Sequence, residues 1–158
     1  MKSALNYFLL GLTACILLSA AGCTDPKMVV DQNTAIPNHN WAYSNKITNT
    51  VKIDDETVPY NLYMNLRIGG GYKYSNLFVL IYQAGTDKKA VRYEFKLANP
   101  DGEWLGQGSG NLYSYQVPFR QNYKFPAKGT YTFTIEQNMR DNPLHEVSDV
   151  GLRVEKAQ

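Results

Sequence analysis

Several stretches hold residue types that could do chemistry: Cys23 at the end of LSAAGC, the triplet Asp54-Asp55-Glu56, the histidines His39 and His145, and the run Gly106-Gln107-Gly108-Ser109-Gly110. A cysteine behind small residues is a target for acylation. Clustered carboxylates suit calcium, a histidine can activate a nucleophile, and glycines followed by a helix can cradle a phosphate. Whether any of these chemistries is available depends on the elements that carry the residues.

The glycine run fails that condition. A phosphate loop needs a helix whose first amides close on the anion, whereas Gly110 is followed by the strand-like Leu112-Tyr113-Ser114-Tyr115. Upstream, Asn99-Pro100-Asp101-Gly102 places asparagine, proline, aspartate and glycine where a type I turn takes them. Residues 99–110 therefore read as a turn and a bend or bulge between two strands, with Trp104 and Leu105 as anchoring side chains. Adjacent residues at a strand end point in different directions, so the acidic triplet reads as a charged turn rather than a metal site. His39 falls in a turn-rich segment and His145 near a short helical turn expected at residues 143–147. No GxSxG elbow surrounds any serine. Both histidines read as solvated surface residues, and the chain as a non-enzyme with no cofactor.

Cys23 fits its context better. Residues 1–22 carry one basic residue, Lys2, an apolar run over residues 5–18 and then Ser19-Ala20-Ala21-Gly22, the pattern of an export signal. A spanning helix needs about 20 predominantly apolar residues, more than this run supplies. LSAAGC resembles a bacterial lipobox, with Ala20 where leucine is usual. The alternative is an ordinary secretory signal cut after Ser19-Ala20-Ala21. Cleavage before Cys23 leaves the mature chain a single cysteine, which carries the lipid, so no disulfide forms and stability rests on burial. The 158 residues hold 16 Lys and Arg against 14 Asp and Glu, a balance that argues against nucleic acid as a partner.

The remaining chain is organised by period-two patterning, the mark of strands. In residues 60–68, Tyr60, Leu62, Met64, Leu66 and Ile68 alternate with Asn61, Tyr63, Asn65 and Arg67. Similar alternation recurs at residues 90–98, 131–136 and 152–155. Residues 77–82, LFVLIY, are apolar throughout, as for a central strand covered on both faces. Weaker strands are expected at residues 47–53, 112–117 and 119–125, with Pro118 marking a strand end, a bulge or an edge. The expectation is an all-β domain, a single β-sandwich of jelly-roll or immunoglobulin-like type with about eight strands. Residues 1–22 are the signal peptide, 23–43 a lipid anchor and polar tether, and 44–158 the sandwich.

Twelve tyrosines, 6 phenylalanines and 2 tryptophans make the chain rich in aromatics. Tyr63, Tyr72, Tyr74, Tyr113 and Tyr115 fall in loops or off the core-facing stripes. With Trp104 they form a candidate interaction surface, since exposed rings stack on sugars or anchor protein interfaces. The competing reading is that half-buried sheet faces simply favour tyrosine.

The pieces IPN at 36–38 with Trp41, YNLYMNLR at 60–67, YSNLFVLI at 74–81, LANPDGEWLGQGSG at 97–110, GTYTFTIEQNMRDNPL at 129–144 and DVGLRVE at 149–155 carry a family signal. Taken in order they resemble the gliding motility lipoprotein GldH family of Bacteroidota. The resemblance implies a non-enzymatic component of the envelope machinery for gliding and type IX secretion, anchored by lipid on Cys23, with other gliding or secretion envelope proteins as partners. It also implies an outer-membrane location. The periplasmic face is expected because Thr24-Asp25-Pro26-Lys27 offers one acid, where an acidic cluster accompanies export to the surface. The competing class, motivated by the tyrosines, is a carbohydrate-binding lipoprotein of a glycan-uptake system, with a glycan as partner.

Overall fold

The computed structural model describes residues 25–87 and 89–157; the expected signal segment and Cys23 lie outside the described residues. Strands β1 (Met28–Ala35), β4 (Tyr60–Gly69), β7 (Gln107–Ser109), β8 (Leu112–Tyr123) and β11 (Val147–Lys156) form a five-stranded sheet in the order β1-β11-β4-β8-β7. Strands β3 (Ile47–Ile53), β5 (Asn76–Gln83), β6 (Val91–Lys96) and β9 (Gly129–Gln137) form a four-stranded sheet in the order β3-β9-β5-β6. A short pair joins β2 (Asn40–Trp41) to β10 (Leu144–His145), and every pairing is antiparallel. The chain is therefore all-β among the described residues, and both larger sheets contribute to one hydrophobic core. Leu62, Met64, Leu152 and Val154 enter it from the first sheet, and Val79, Ile81, Phe133 and Ile135 from the second.

Alternation places most of these strands as the sequence leads one to expect, with instructive departures. The expected strands at 112–117 and 119–125 are one strand, β8, which runs through Pro118. Leu62 faces Arg120 while Tyr63 faces Pro118, so Phe119 is an extra residue and the proline sits at a bulge. β7 pairs only with the first residues of β8, up to Ser114, so Pro118 also lies where no strand covers the edge. β5 is interior to its sheet, yet only one of its faces is buried; Phe78, Leu80 and Tyr82 on the other are half-buried. The Arg92 guanidinium lies 3.9 Å from the centre of the Phe78 ring, which explains how an apolar outward residue is tolerated there. No helical turn forms at 143–147. Leu144 is buried and pairs with Trp41, and this tertiary pairing overrides the local helical signal.

The largest departure concerns the segment read as a tether. Residues 28–35 are β1, an edge strand bonded along β11, with Gln32 opposite Leu152 and Asn33 opposite Gly151. Just beyond it Ile36 is buried and its N–H donates to the Ser148 carbonyl at 2.9 Å. Trp41 is fully buried, with its indole N–H donating to the Asn45 carbonyl at 2.8 Å. β1 escapes the period-two test because only Val29 and Val30 pack against the core, while Asp31 to Ala35 are exposed.

The approach of β1 depends on Gly151. A Cβ on this residue would stand 1.9 Å from the Gln32 carbonyl oxygen and 2.4 Å from Asn33 Oδ1, so any side chain pushes the two strands apart. Gly151→Ala is expected to lower the unfolding free energy by about 2 kcal/mol, the typical cost of overpacking. Urea unfolding measures it, and an unchanged midpoint would show that the strands do not meet there.

Candidate functional site

The expected aromatic surface separates into two places. Tyr72, Tyr74, Trp104, Tyr113 and Tyr115 gather at one end of the domain, where the chain passes between the sheets. The loop after β4 brings Tyr72 and Tyr74, the loop after β6 brings Trp104, and β8 brings the other two. Ring centres of Tyr72 and Tyr74 are 6.0 Å apart, those of Tyr72 and Trp104 6.3 Å, and those of Trp104 and Tyr113 5.7 Å. These are edge or tilted contacts of the favourable kind.

Two of these residues are not available as surface. Tyr72 is 4% exposed and Tyr115 8%. The pleat of β8 turns Tyr113, Tyr115 and Val117 inward and Ser114 and Gln116 outward, so the two tyrosines lie on the core-facing stripe rather than off it. Tyr115 donates its hydroxyl to the Leu97 carbonyl at 2.8 Å, and Tyr72 donates to the Asn76 carbonyl at 3.1 Å. Burial pushes the Tyr72 phenol well above its usual range, and the nearby Tyr74 and Asp141 reinforce this. Tyr74, Trp104 and Tyr113 remain half-buried against the core.

The glycine-rich stretch serves this end of the domain. The Gly102 N–H donates to the Asn99 carbonyl at 3.1 Å, and the Glu103 N–H to Asn99 Oδ1 at 2.8 Å, closing the turn. Gly106 lies flat against the Tyr115 ring, where a Cβ would stand 2.6 Å from a ring carbon. The glycine thus makes room for a tyrosine, and β8 follows where a phosphate loop would need a helix.

Tyr63 belongs elsewhere, to the outward face of the five-stranded sheet. The register sets residues of that face in rows across the strands: Asp149, Arg67 and Ser114 in one, Asn33, Gly151, Asn65 and Gln116 in the next, Arg153, Tyr63 and Pro118 in a third. Arg67 Nε donates to Asp149 Oδ2 at 2.5 Å. Asn65 Nδ2 donates to Asp31 Oδ1 at 2.6 Å, and Asn65 Oδ1 accepts from Gln116 Nε2 at 3.2 Å. Arg153 binds Glu155 at 2.9 Å, Asp31 at 3.1 Å and Asp25 at 2.7 Å. The bond to Glu155, with those to Asp31 and Asp25, holds this guanidinium firmly protonated against the opposing effect of burial. The Tyr63 hydroxyl donates to Glu155 Oε1 at 2.9 Å.

Asn33, Asn65, Arg67, Gln116 and Asp149 of these rows line a groove of about 750 Å3, bounded on the far side by Leu105 and Gln107. The sequence marks part of it, since Asn65 and Arg67 alternate with the core residues of β4. Asp31 and Asn33 are missed because their strand reads as a tether. The acidic triplet has other work: Asp55 accepts from the Thr57 hydroxyl at 2.6 Å and Asp54 pairs with Lys52 at 3.1 Å. His145 Nδ1 meets Asn40 Oδ1 at 2.6 Å. Among the described residues no cluster of three metal-binding side chains forms.

A pH signature follows from the aromatic end. Tyr74 donates its hydroxyl to Asp141 Oδ2 at 2.6 Å, and Lys73 Nζ lies 3.5 Å from the same oxygen. The Tyr74 bond, opposed by burial and helped by Lys73, holds the Asp141 carboxyl below its ordinary 3.8. A carboxyl lowered by folding adds stability that is fully present above its unfolded value and lost as pH falls through the folded one. The stability gap between wild type and Tyr74→Phe is therefore expected to be full above about pH 5 and to shrink as pH falls below the ordinary carboxyl value of 3.8. Denaturant titration at several pH values measures it; a gap constant across that range would show that the bond does not hold the carboxylate.

Comparison with known proteins places the whole chain. The sequence profile of the family described as GldH lipoprotein matches residues 28–154. The chain is 31% identical to the gliding motility lipoprotein GldH homolog of Christiangramia forsetii, over 99% of each chain. It is 30% identical to the gliding motility lipoprotein GldH of Flavobacterium johnsoniae, over 92% of this chain and 93% of that one. No solved structure matches. The profile begins at the first residue of β1 and ends inside β11, so it takes in the strand that the composition disguises as a tether. On this match, and on the near full-length identity to two relatives, the chain belongs to the GldH lipoprotein family.

Proposed function

We propose that this chain is a lipid-anchored, non-enzymatic envelope component of a bacterial gliding motility and type IX secretion machinery, acting through contacts with other proteins of that machinery. The observation that carries the reading is the match along 99% of each chain to a relative named as a gliding motility lipoprotein homolog. The anchor is an acyl lipid on Cys23, supported by the LSAAGC sequence, and the membrane is the outer one, with the domain on its periplasmic face. Residues 24–27 then separate the lipid from β1, so the domain sits close to the membrane surface. The fold we propose is a β-sandwich, supported by the single core that the two larger sheets share. A binding role is favoured over catalysis by the polar face, whose charged groups are committed to one another as ion pairs.

The anchor is tested by fractionation. Cys23→Ala is expected to move the protein from the membrane to the soluble fraction and to abolish incorporation of labelled palmitate; a variant that stays membrane-bound would contradict the lipid anchor. The partnership is tested by purifying the tagged full-length chain after mild cross-linking and identifying what accompanies it. Gliding or secretion envelope proteins are expected, and their absence would count against the reading.

A further inference from the structure

One stretch of sheet edge is left without a neighbour, and the ladder shows which main-chain groups it offers. The Gly70 N–H donates to the Asn111 carbonyl at 2.8 Å. Bonded and non-bonded pairs alternate along an antiparallel ladder, and the register runs from Gly69 opposite Leu112 to Tyr63 opposite Pro118 without a shift. Residues 113, 115 and 117 therefore bond to β4, while 112, 114, 116 and 118 turn their main chain the other way. On that side Ser109 meets Leu112 and Gln107 meets Ser114. At Gly106 the chain leaves β8, and the Leu105 N–H donates instead to the Leu97 carbonyl at 2.9 Å. The N–H and carbonyl of Gln116 and the carbonyl of Pro118 face the open side, where proline has no N–H to offer.

We propose that this edge is a strand-addition site, where a short extended segment of a partner protein, apolar at alternate positions, lies beside residues 115–118 in line with β7. Main-chain bonds to an exposed edge supply affinity in such complexes, and pockets for alternate side chains supply specificity. The main chain of Gln116 would contribute two bonds and the Pro118 carbonyl a third. Inward-pointing side chains of the segment would meet Val117, Phe119 and Tyr93, which are half-buried at the rim of the core, with the Tyr93 and Phe119 ring centres 5.6 Å apart. On the outward side Leu105 is 56% exposed, and the groove of about 750 Å3 that it bounds runs beside Gln116, Val117 and Pro118.

Charge singles out this edge and the kind of segment it takes. Edge strands are commonly guarded by charged side chains or by being very short. Exposed positions carry Arg92, Glu94 and Lys96 on β6, Asp31 on β1 and Lys52 on β3, and β7 has three residues. Residues 115–118 carry no charge, and neither do Leu105, Gly106 and Gln107 across from them. The charged groups of the groove, Asp31, Arg67 and Asp149, lie on other strands and are paired. The segment that fits is therefore uncharged as well as extended, and Pro118 with the bulge behind it keeps the open stretch short. A second copy fits less well. Two-fold pairing centred on Gln116 would run the copy's strand across Ser114, where β7 lies, and pairing centred on Pro118 would set proline against proline. The assignment rests on the reading that the chain acts through protein contacts, and names their mode.

The test sets the detergent-solubilised full chain on a printed array of short peptides in which Val, Ile, Leu, Phe or Tyr alternates with Ser or Thr, beside peptides of the same composition arranged in blocks. Gln116→Pro removes the open N–H, whereas Gln116→Ala changes the exposed side chain and keeps the N–H. The expected result is retention of alternating peptides over blocked ones, weakened about tenfold by Gln116→Pro and unchanged by Gln116→Ala. Where Gln116→Pro fails to fold, read by circular dichroism, a retained peptide is remade with every second amide methylated. Methylation of one alternate set is then expected to abolish retention, and methylation of the other to leave it. No retention, equal retention of blocked peptides, or tolerance of the proline or of both methylated sets would overturn the assignment. So would a dimer lost in Gln116→Pro, seen by light scattering, since the edge would then belong to a second copy. Failure on the array leaves the cross-linking purification to decide the protein partnership, so the two readings fail separately.

Discussion

Two strands meet at a residue without a side chain, and the five-stranded sheet depends on that meeting. Gly151 sits in the middle of β11, between Asn33 of β1 and Asn65 of β4, with the Gln32 carbonyl where its Cβ would be. β1 has little apolar surface with which to hold itself in place. It is kept by main-chain bonds to β11, by Ile36 in the core and by Arg153 reaching Asp25 and Asp31. The same closeness sets Asp31 and Asn33 beside Asn65, and so builds one wall of the polar groove. Stability of the edge and shape of the groove thus share one cause.

The two faces of this sheet divide the labour. The inner face carries the aliphatic core, continued at one end by the tyrosines and Trp104, whose rings bridge the loops that pass between sheets. The hydroxyls of Tyr72, Tyr115 and Tyr74 are satisfied by the Asn76 carbonyl, the Leu97 carbonyl and Asp141, which fixes the loops as well as burying the rings. The outer face carries amides and ion pairs in register across strands, an ordered polar surface rather than a merely solvated one. Charge-assisted bonds of this kind hold side-chain geometry more firmly than neutral ones, which is what a recognition surface requires.

How much of this could be read from the chain itself varies with the physics of each element. β4 was legible because its core and outward residues differ sharply in polarity, and the same contrast exposed Asn65 and Arg67 as outward. β1 was illegible because an edge strand with one polar and one exposed face shows no alternation. Tyr113 and Tyr115 were misplaced because tyrosine suits either face, and their inward direction is apparent only once Ser114 and Gln116 are seen to line the groove. Asp149 was hidden for another reason: its role comes from partners on β4, distant in sequence. The glycines of residues 99–110 announce their turn by type and spacing, but the need of Gly106 to accommodate the Tyr115 ring is a contact no local pattern announces.

The central claim is that β1 belongs to the folded domain and that this strand walls the groove. Amide hydrogen exchange of the full-length protein, read over residues 28–35, tests it most directly. The account predicts protection comparable to that of residues 60–69 in β4, because both strands are bonded to β11. Exchange of residues 28–35 at the rate of an unstructured peptide would contradict it, returning the segment to a tether and removing the wall of the groove.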